Sequence, residues 1–272
     1  MDKVRVLAFG AHPDDCELRV GGCAALWAAD GHLVRFVSLT NGDTGHFSMG
    51  GGPLARRRRY EAAAAADLTG IESMVLDIHN GELIPDIKTR KRVIRIIREF
   101  EPDLILTHRP YDYHPDHRYA SQLVQDASYI IRVPNMTPLT PPLTKPVAIM
   151  HFADRFQKPI PFSPDVAVDI SPVIDTKIAM VACHESQVFE WLPYDAGQLE
   201  EVPQEAMARQ EWLHTNMQAR FSRDADQCRD RLVEAYGDTG QHVEYAESFE
   251  CCEYGAPLTP EGKARLFPFL PN

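Results

Sequence analysis

The sequence predicts an α/β protein with a Rossmann-like, doubly wound and mostly parallel sheet that carries helices on both faces. Two observations support this fold class. Short apolar runs alternate with amphipathic stretches of helical length over roughly the first 130 residues, which is typical of right-handed βαβ units. The chain has 272 residues, of which 44% are hydrophobic, and can therefore bury a sizeable core. In such sheets, ligands bind outside the carboxyl ends of the strands.

The individual elements of the first half follow from these patterns. Four short apolar runs predict buried strands at 4–9, 34–39, 74–76 and 104–107. The amphipathic stretches that follow them predict helices at 17–30, 54–68, 88–100 and 117–131. The strand at 104–107 is then expected to lie beside the first strand, as in other doubly wound sheets.

The second half is less regular. Residues 131–164 contain eight prolines, which break helices and central strands, so we expect an ordered loop with one strand at 147–150. A strand at 166–170 and a helix at 173–184 complete a predicted core, 1–188. Residues 189–272 are helix-prone at 204–236 and are predicted to be a C-terminal extension packed on that core.

Composition limits the class of partner. The chain has 28 basic and 39 acidic residues, a net charge of −11, which disfavours a nucleic-acid binder. We expect no membrane segment or signal peptide, because the apolar run at the N-terminus is short and lacks a cleavage pattern. The six cysteines form no CxxC pair, which favours reduced thiols in the cytoplasm over a disulfide framework or a thiolate zinc site.

Histidines concentrate at the predicted functional edge of the sheet. Six of the eleven lie at or shortly after predicted strand ends: His12, His79, His108, His114, His117 and His151. A single histidine there would more often be structural, but six on one edge favour a functional site.

The segment His12-Pro13-Asp14-Asp15 directly follows the first strand. Histidine and aspartate supply nitrogen and oxygen ligands that suit zinc, and the other carboxylate can remain free as a base. The alternative is that Asp14 or Asp15 only caps the next helix. A dinucleotide site would need a GxGxxG motif here, which the glycines do not supply.

A second such segment, His114-Pro115-Asp116-His117, follows the strand at 104–107. His117 is a candidate third metal ligand. His114 is a candidate donor to an oxyanion, with a carboxylate holding its proton. The alternatives are that Asp116 caps the helix and that nearby His108 is a hydrogen-bonded core histidine.

Taken together, the two segments resemble the PIG-L (LmbE-like) family of zinc-dependent N-deacetylases. The resemblance spans about residues 4–188 and includes three further pieces: Thr40-Asn41-Gly42-Asp43-Thr44-Gly45, Arg58-x-x-Glu61, and Lys177 with His184-x-Ser186-Gln187. Cys16 stands between Asp15 and Glu17, where some family members have the glutamate directly after the second aspartate.

The resemblance implies a role for each matched residue. The metal ligands would be His12, Asp15 and His117. Asp14 would be the general base that activates water and later protonates the leaving amine. His114 would steady the oxyanion, Asp116 would orient His114, and Arg58 and His184 would contact the substrate. Zinc is implied as the metal, although two histidines and an aspartate also accept ferrous iron. Relatives commonly self-associate, so a homo-oligomer is expected.

Arg58 belongs to the basic run Arg56–Arg59 at the start of a predicted helix. Cations at a helix N-terminus interact unfavourably with the helix macrodipole. The four arginines therefore suggest a role other than stabilising the helix. We expect Arg58 to reach over the mouth of the metal site, with Arg56, Arg57 and Arg59 mainly on the surface. The alternative is a solvated helix face that Glu61 partly neutralises.

The resemblance predicts a metal-dependent hydrolase that removes the N-acetyl group from an N-acetylglucosamine-type amino sugar or its conjugate. One alternative is an amidase of the same family that cleaves a bulkier amide conjugate. Another is a non-catalytic sugar- or metal-binding protein, against which the extra carboxylate of Asp14 argues.

Overall fold

Seven strands form one sheet in the computed structural model, which describes residues 3–271. They are β1 (Arg5–Gly10), β2 (Leu33–Ser38), β3 (Glu72–Val75), β4 (Leu104–Thr107), β5 (Ala148–Phe152), β6 (Val166–Asp169) and β7 (Ala246–Cys251). The order across the sheet is β3-β2-β1-β4-β5-β7-β6. Strands β1 to β5 pair in parallel, whereas β7 is antiparallel to both of its neighbours. The predicted mostly parallel, doubly wound sheet is therefore confirmed.

Helices cover both faces of this sheet. They are α1 (Asp15–Ala29), α2 (Gly51–Asp67), α3 (Ile87–Phe100), α4 (Pro115–Ile130), α5 (Ile174–Ala182), α6 (Leu192–Asp195), α7 (Ala206–Gln227), α8 (Arg229–Tyr236) and α9 (Pro260–Leu266). Val6 and Ala8 of β1 belong to one apolar core, and Leu7 and Phe9 belong to the other. This alternation arises because successive side chains of a strand point to opposite faces. The core on the Val6 side includes residues of α1, α5 and α7, and the other includes residues of α3 and α4.

The second half departs from the sequence-based prediction in two places. The helix-prone stretch 204–236 forms two helices, α7 and α8, which are separated at Cys228. Residues 189–272 also supply β7, which the sequence did not predict. This strand lies inside the sheet between β5 and β6, so the segment predicted as an extension also builds part of the sheet.

The proline-rich region is irregular except for β5, and a buried arginine organises its first part. Arg98 of α3 is 3% exposed and donates to six main-chain carbonyl groups between Ile130 and Thr140. Burial lowers the pKa of Arg98. These bonds satisfy carbonyl groups that no regular element can satisfy in a loop with so many prolines.

Chain topology fixes where the functional residues meet. Strand β1 lies between β2 and β4, and Phe9 of β1 is in register with Thr107 of β4. The sheet order 3-2-1-4-5 reverses its direction of winding between β1 and β4, which is the usual ligand position in this fold. The segments that follow β1 and β4 therefore emerge side by side at one edge. Within residues 3–271, no helix is both long and apolar enough to span a bilayer.

Candidate active site

In the turn after β1, the carboxylates of Asp14 and Asp15 point in different directions. Asp15 Oδ2 accepts hydrogen bonds from the main-chain N–H groups of Ala11 (2.9 Å) and His12 (2.7 Å). Gly10 permits this fold of the chain, because a Cβ there would lie only 2.8 Å from Cβ of Asp15. Asp14 precedes α1 but makes no side-chain capping bond. The alternative in which Asp14 only caps the helix is therefore wrong for Asp14.

Three predicted metal ligands converge at this edge of the sheet. His117 Nε2 lies 3.1 Å from His12 Nδ1 and 3.4 Å from Asp15 Oδ1. Tetrahedral zinc with bonds of 2.0–2.1 Å requires ligand atoms about 3.3 Å apart, so these separations fit the ion. Two overlapping groups of possible ligands occur among residues 3–271, namely His12, His114 and His117, and Asp15, His108 and His117. His117 belongs to both groups, His12 to the first and Asp15 to the second, so the three predicted ligands are divided between them.

A carboxylate contacts each of the two candidate ligand histidines on the side away from the cluster. Asp116 Oδ2 is 3.3 Å from His12 Nε2, and Asp112 Oδ1 is 2.9 Å from His117 Nδ1. Each contact leaves the opposite ring nitrogen facing the cluster, as in carboxylate–histidine–metal arrangements. Burial lowers the pKa of His12, but its contacts with Asp116 and Asp15 outweigh burial and raise that pKa to about 9.

The contact between Asp116 and His12 corrects the sequence-based assignment of Asp116 as the residue that orients His114. The Asp116 carboxylate instead accepts from the main-chain N–H groups of Gly81 (2.6 Å) and Leu83 (3.3 Å) and contacts His12. Only its main-chain N–H reaches His114, at Nδ1 (3.1 Å). The reason is position: in the first turn of α4 the Asp116 side chain points across to the loops after β1 and β3.

Asp112 was not assigned a role from the sequence. Its place in the same loop, five residues before His117, is the signal that could have identified it. A carboxylate this close in sequence to a candidate ligand histidine is a natural partner for the nitrogen that does not face the metal.

His114 lines the cavity, and its Nε2 can donate a hydrogen bond. Since Nδ1 accepts the N–H of Asp116, the neutral ring carries its proton on Nε2. Burial and the neighbouring His12 and His117 lower the pKa of His114, which keeps the ring neutral near pH 7. This tautomer can donate a hydrogen bond to an oxyanion.

The other three edge histidines differ in their surroundings. His108 stacks on His117 with ring centroids 4.0 Å apart, and burial lowers its pKa to about 4. Its Nε2 accepts the N–H of Ala11, as expected for a core histidine, but also lies 3.2 Å from Asp15 Oδ2, within reach of the candidate metal site. His151 donates from Nδ1 to the carbonyl of His108 (2.7 Å). His79 has an exposed side chain and pairs with Asp43 outside the cluster.

Arg58 is buried against the carboxylate of Asp14. It is 2% exposed, its Nη2 lies 3.1 Å from Asp14 Oδ1, and the same nitrogen donates to the carbonyl of Pro13 (3.1 Å). Gly42 has φ +70°, and a Cβ there would overlap the Arg58 guanidinium. The solvated-face alternative is therefore wrong for Arg58.

The neighbours of Arg58 divide into two kinds. Arg56 and Arg59 are exposed, as expected from the sequence. Arg57 is half-buried and pairs with Glu190 through two nitrogens and with Glu61, so it links α2 to the segment before α6.

A cavity of about 420 Å³ opens above these residues. The residues on its floor are His12, Asp14, Asp15, Arg58, His114 and His117. Leu18, Trp191 and Leu192 give it an apolar wall. Trp191 ends a π-helical turn, Ser186–Trp191, a conformation that is frequent at functional sites.

Two residues near the cavity point elsewhere. His184 is fully buried behind the cavity, with Nε2 3.3 Å from Glu17 Oε1, and does not line the cavity. Its contact with substrate stays a prediction. The Cys16 thiol donates to the carbonyl of Ala8, on the core side of the turn.

Comparison with known proteins places this arrangement in a family. The family model of PIG-L, described as GlcNAc-PI de-N-acetylase, matches residues 7–128, which contain both His-Pro-Asp segments. The chain is 31% identical over 210 residues to diacetylchitobiose deacetylase of Thermococcus kodakarensis, covering 71% of this chain and 75% of that protein. The chain belongs to the PIG-L family. The resemblance stated from the sequence is thereby confirmed.

Other PIG-L relatives show the range of the fold. The chain is 29% identical over 198 residues to 4-oxalmesaconate hydratase of Pseudomonas putida, covering 69% of this chain and 76% of that protein. The structure of N,N'-diacetylchitobiose deacetylase from Pyrococcus horikoshii superposes with a TM-score of 0.71 at 23% identity, covering 93% of this chain and 85% of that one. The predicted amino-sugar deacetylase fits the two deacetylases, whereas the hydratase shows that a relative of similar identity carries another activity.

Proposed function

We propose that this PIG-L protein is a zinc-dependent hydrolase that removes the N-acetyl group from an N-acetylglucosamine-type amino sugar or its conjugate. The observation that carries the proposal is the carboxylate of Asp14, which pairs with Arg58 and lines the same cavity as the cluster of His12, Asp15 and His117. A site that only bound metal would not need this extra carboxylate. The deacetylase relative of Thermococcus kodakarensis supports the same reaction.

Each reacting group has a candidate partner in the cavity. Bound Zn²⁺, or ferrous iron in its place, would polarise the amide carbonyl and lower the pKa of water at its open position to about 7. Asp14 would accept the proton of the attacking water and then donate it to the amine nitrogen as the C–N bond breaks. The products are acetate and the free amino sugar.

The remaining side chains position these groups. His114 would donate from Nε2–H to the oxygen that becomes negative as water adds to the carbonyl. Arg58 holds the Asp14 carboxylate through Nη2, and its second terminal nitrogen lies 3.4 Å from the Gly42 carbonyl. We expect Arg58 also to contact a polar group of the substrate, because it lines the cavity.

Measurement of acetate release by the metal-loaded protein from N-acetylglucosamine and diacetylchitobiose tests the proposal. Asp14→Asn should retain metal but lose about 10²- to 10⁴-fold in turnover, the usual contribution of a general acid–base group. His117→Ala should lose metal, since one of three protein ligands is removed. Near-normal turnover in metal-loaded Asp14→Asn would remove Asp14 from this role, and unchanged zinc content in His117→Ala would assign the third ligand to His108 or His114.

The same screen separates the alternatives. Bulkier N-acyl conjugates test for an amidase with a larger substrate, and 4-oxalmesaconate tests for the activity named for the Pseudomonas putida relative. Turnover of either compound in preference to the acetylated sugars would replace the proposed substrate or reaction. A protein that holds zinc but acts on none of these compounds would be a binding protein. Cytoplasmic location and self-association stay predictions from the sequence.

A further inference from the structure

The π-helical turn Ser186–Trp191 supplies part of the wall of the active-site cavity. Gln187 and Trp191 of this turn line the cavity. A π-helix is rare and is mostly limited to a single turn. Here the main-chain N–H of Leu192 donates to the carbonyl of Gln187, and Pro193 comes next, which has no N–H to extend the pattern. The conformation of the turn therefore depends on contacts with other parts of the chain.

Glu61 of α2 holds the beginning of this turn. Its carboxylate accepts the main-chain N–H of Ser186 (2.9 Å) and the hydroxyl of the same residue (2.6 Å), and both residues are buried. Glu61 thus satisfies an N–H at the start of the turn, as an N-cap residue does in an α-helix. Two pieces of the sequence resemblance, Arg58-x-x-Glu61 and His184-x-Ser186-Gln187, meet in this contact.

Arg57 joins the two ends of the turn. Its Nε lies 3.0 Å from Oε1 of Glu61, and its two terminal nitrogens donate to the two carboxylate oxygens of Glu190, at 2.8 and 2.6 Å. Two parallel bonds between a guanidinium and a carboxylate fix the orientation of both groups. The hydrogen bonds from Arg57 lower the pKa of Glu190, with a smaller contribution from His46. Glu190 directly precedes Trp191, so this ion pair fixes the end of the turn that carries the indole.

The loop after β2 is tied to the same turn. His46 Nε2 donates to Glu190 (2.8 Å), and Nδ1 of the same ring accepts the main-chain N–H of Ser48 (3.1 Å). Gln187 Nε2 donates to the carbonyl of Gly45 (3.1 Å), and Gly45 also lines the cavity. The turn and the loop are therefore held together where they form the cavity wall.

Arg57 and Glu190 have no direct contact with the reacting groups. Within residues 3–271, neither of them is among the residues that line the catalytic cavity. We propose that Arg57 and Glu190 are positioning residues, which hold Gln187 and Trp191 in the cavity wall where the substrate binds. This role rests on the proposed function, because the wall affects the reaction only through the bound substrate.

Steady-state kinetics of metal-loaded Arg57→Met on diacetylchitobiose tests this role. Methionine keeps much of the apolar stem of Arg57 and removes the guanidinium. Arg56→Met is the matched control, because Arg56 is exposed on the same helix and its loss changes the net charge equally. We expect the KM of Arg57→Met to rise roughly tenfold, about the equivalent of one charged hydrogen bond, while kcat and zinc content stay near those of wild type. KM alone changes because the wall binds the substrate and the transition state equally. Arg56→Met should match wild type.

Glu190→Gln and the double variant show whether the two residues act through their ion pair. Glutamine keeps the size of Glu190 and removes its charge. Each single variant should raise KM, and the double variant should raise it no further than the larger single effect, because the effects of residues that share one contact do not add. Unchanged KM in Arg57→Met, or additive effects of the two substitutions on KM, would overturn the positioning role. Loss of zinc or a lower kcat at unchanged KM would indicate a general structural role and would overturn it as well.

The fluorescence of Trp191 separates failure of this role from failure of the proposed function. The chain has three tryptophans, so the signal of Trp191 is taken as the difference between each protein and its Trp191→Phe version. Acrylamide should quench this signal more strongly in Arg57→Met than in wild type or Arg56→Met, because the indole is held less firmly. Absence of acetate release from every sugar would overturn the proposed deacetylation, while this difference in quenching would still support the positioning of the wall. Equal quenching in all three proteins would overturn the positioning role, whatever the activity.

Discussion

Replacing Asp116 by Asn distinguishes two roles for this residue. The sequence predicts that Asp116 orients His114, whereas the structure places its carboxylate 3.3 Å from His12 Nε2. Asp116 is fully buried, and its two oxygens also accept main-chain N–H groups at 2.6 and 3.3 Å. Asparagine has nearly the same shape, so the substitution removes the charge and one acceptor oxygen with little change in packing.

The size of the effect follows from these contacts. A carboxylate behind a ligand histidine fixes the tautomer and raises the basicity of the nitrogen that faces the metal. Loss of such a partner typically lowers metal affinity about 10- to 100-fold, which corresponds to roughly 1.4–2.7 kcal/mol. Asp126→Asn is the matched control, because Asp126 lies on the same helix but pairs with Arg90 outside the cavity.

Competition with a chromogenic chelator at pH 7 measures the zinc Kd of each protein. We expect the Kd of Asp116→Asn to rise about 10- to 100-fold and that of Asp126→Asn to stay within twofold of wild type. A urea titration checks that both variants are folded under the assay conditions. An unchanged Kd together with a hundredfold lower kcat would refute this reasoning and show that Asp116 acts through His114.

Three further predictions concern other buried charges. Arg58→Ala should lower kcat and raise KM with metal content unchanged, because Arg58 contacts Asp14 and lines the cavity; steady-state kinetics beside Arg56→Ala would show the difference. Arg98→Met should lower the free energy of unfolding by about 3 kcal/mol or more in urea, since six carbonyl groups lose their donor; a loss below 1 kcal/mol would contradict this. Burial raises the pKa of Asp103, but its contacts with Lys145, the main-chain N–H of Arg5 and Arg265 together outweigh burial and lower that pKa. The stabilisation by Asp103 is therefore present above the unfolded pKa near 4 and lost as pH falls. The stability gap between wild type and Asp103→Asn should therefore close between about pH 5 and pH 2.

Strands that are buried on both faces could be predicted from the sequence, because a short run of apolar residues by itself indicates a buried strand. The run Leu104–Thr107 is fully buried in the structure, and its predicted bounds are those observed. The His-Pro-Asp segments were equally visible, since their residue types suit a metal and their places after strands put them at one edge.

Strand β7 could not be predicted, because its polar residues are compensated by distant parts of the chain. Two of its six residues are glutamates, and in a short stretch of sequence glutamates predict solvent-exposed positions. In the structure Glu247 is 4% exposed, pairs with Lys177 at 2.6 Å and accepts the N–H groups of Gly22 and Cys23. Glu250 pairs with Arg109 at 2.7 Å. Partners more than 60 residues away in sequence leave no local signal.

The carboxylate partner of His12 was hidden for a related reason, and it shows how the site depends on the fold. His12 follows β1, yet its supporting carboxylate, Asp116, comes from the segment after β4. The candidate ligands His12 and His117 are likewise divided between the two segments. Only the parallel pairing of β1 with β4 brings these groups within hydrogen-bond distance. In the unfolded chain more than 100 residues separate the two histidines, so the tight site exists only in the folded state. If the proposed metal binds there, its binding free energy also stabilises the fold, so we expect a chelator to lower the stability of the whole sheet as well as the proposed activity.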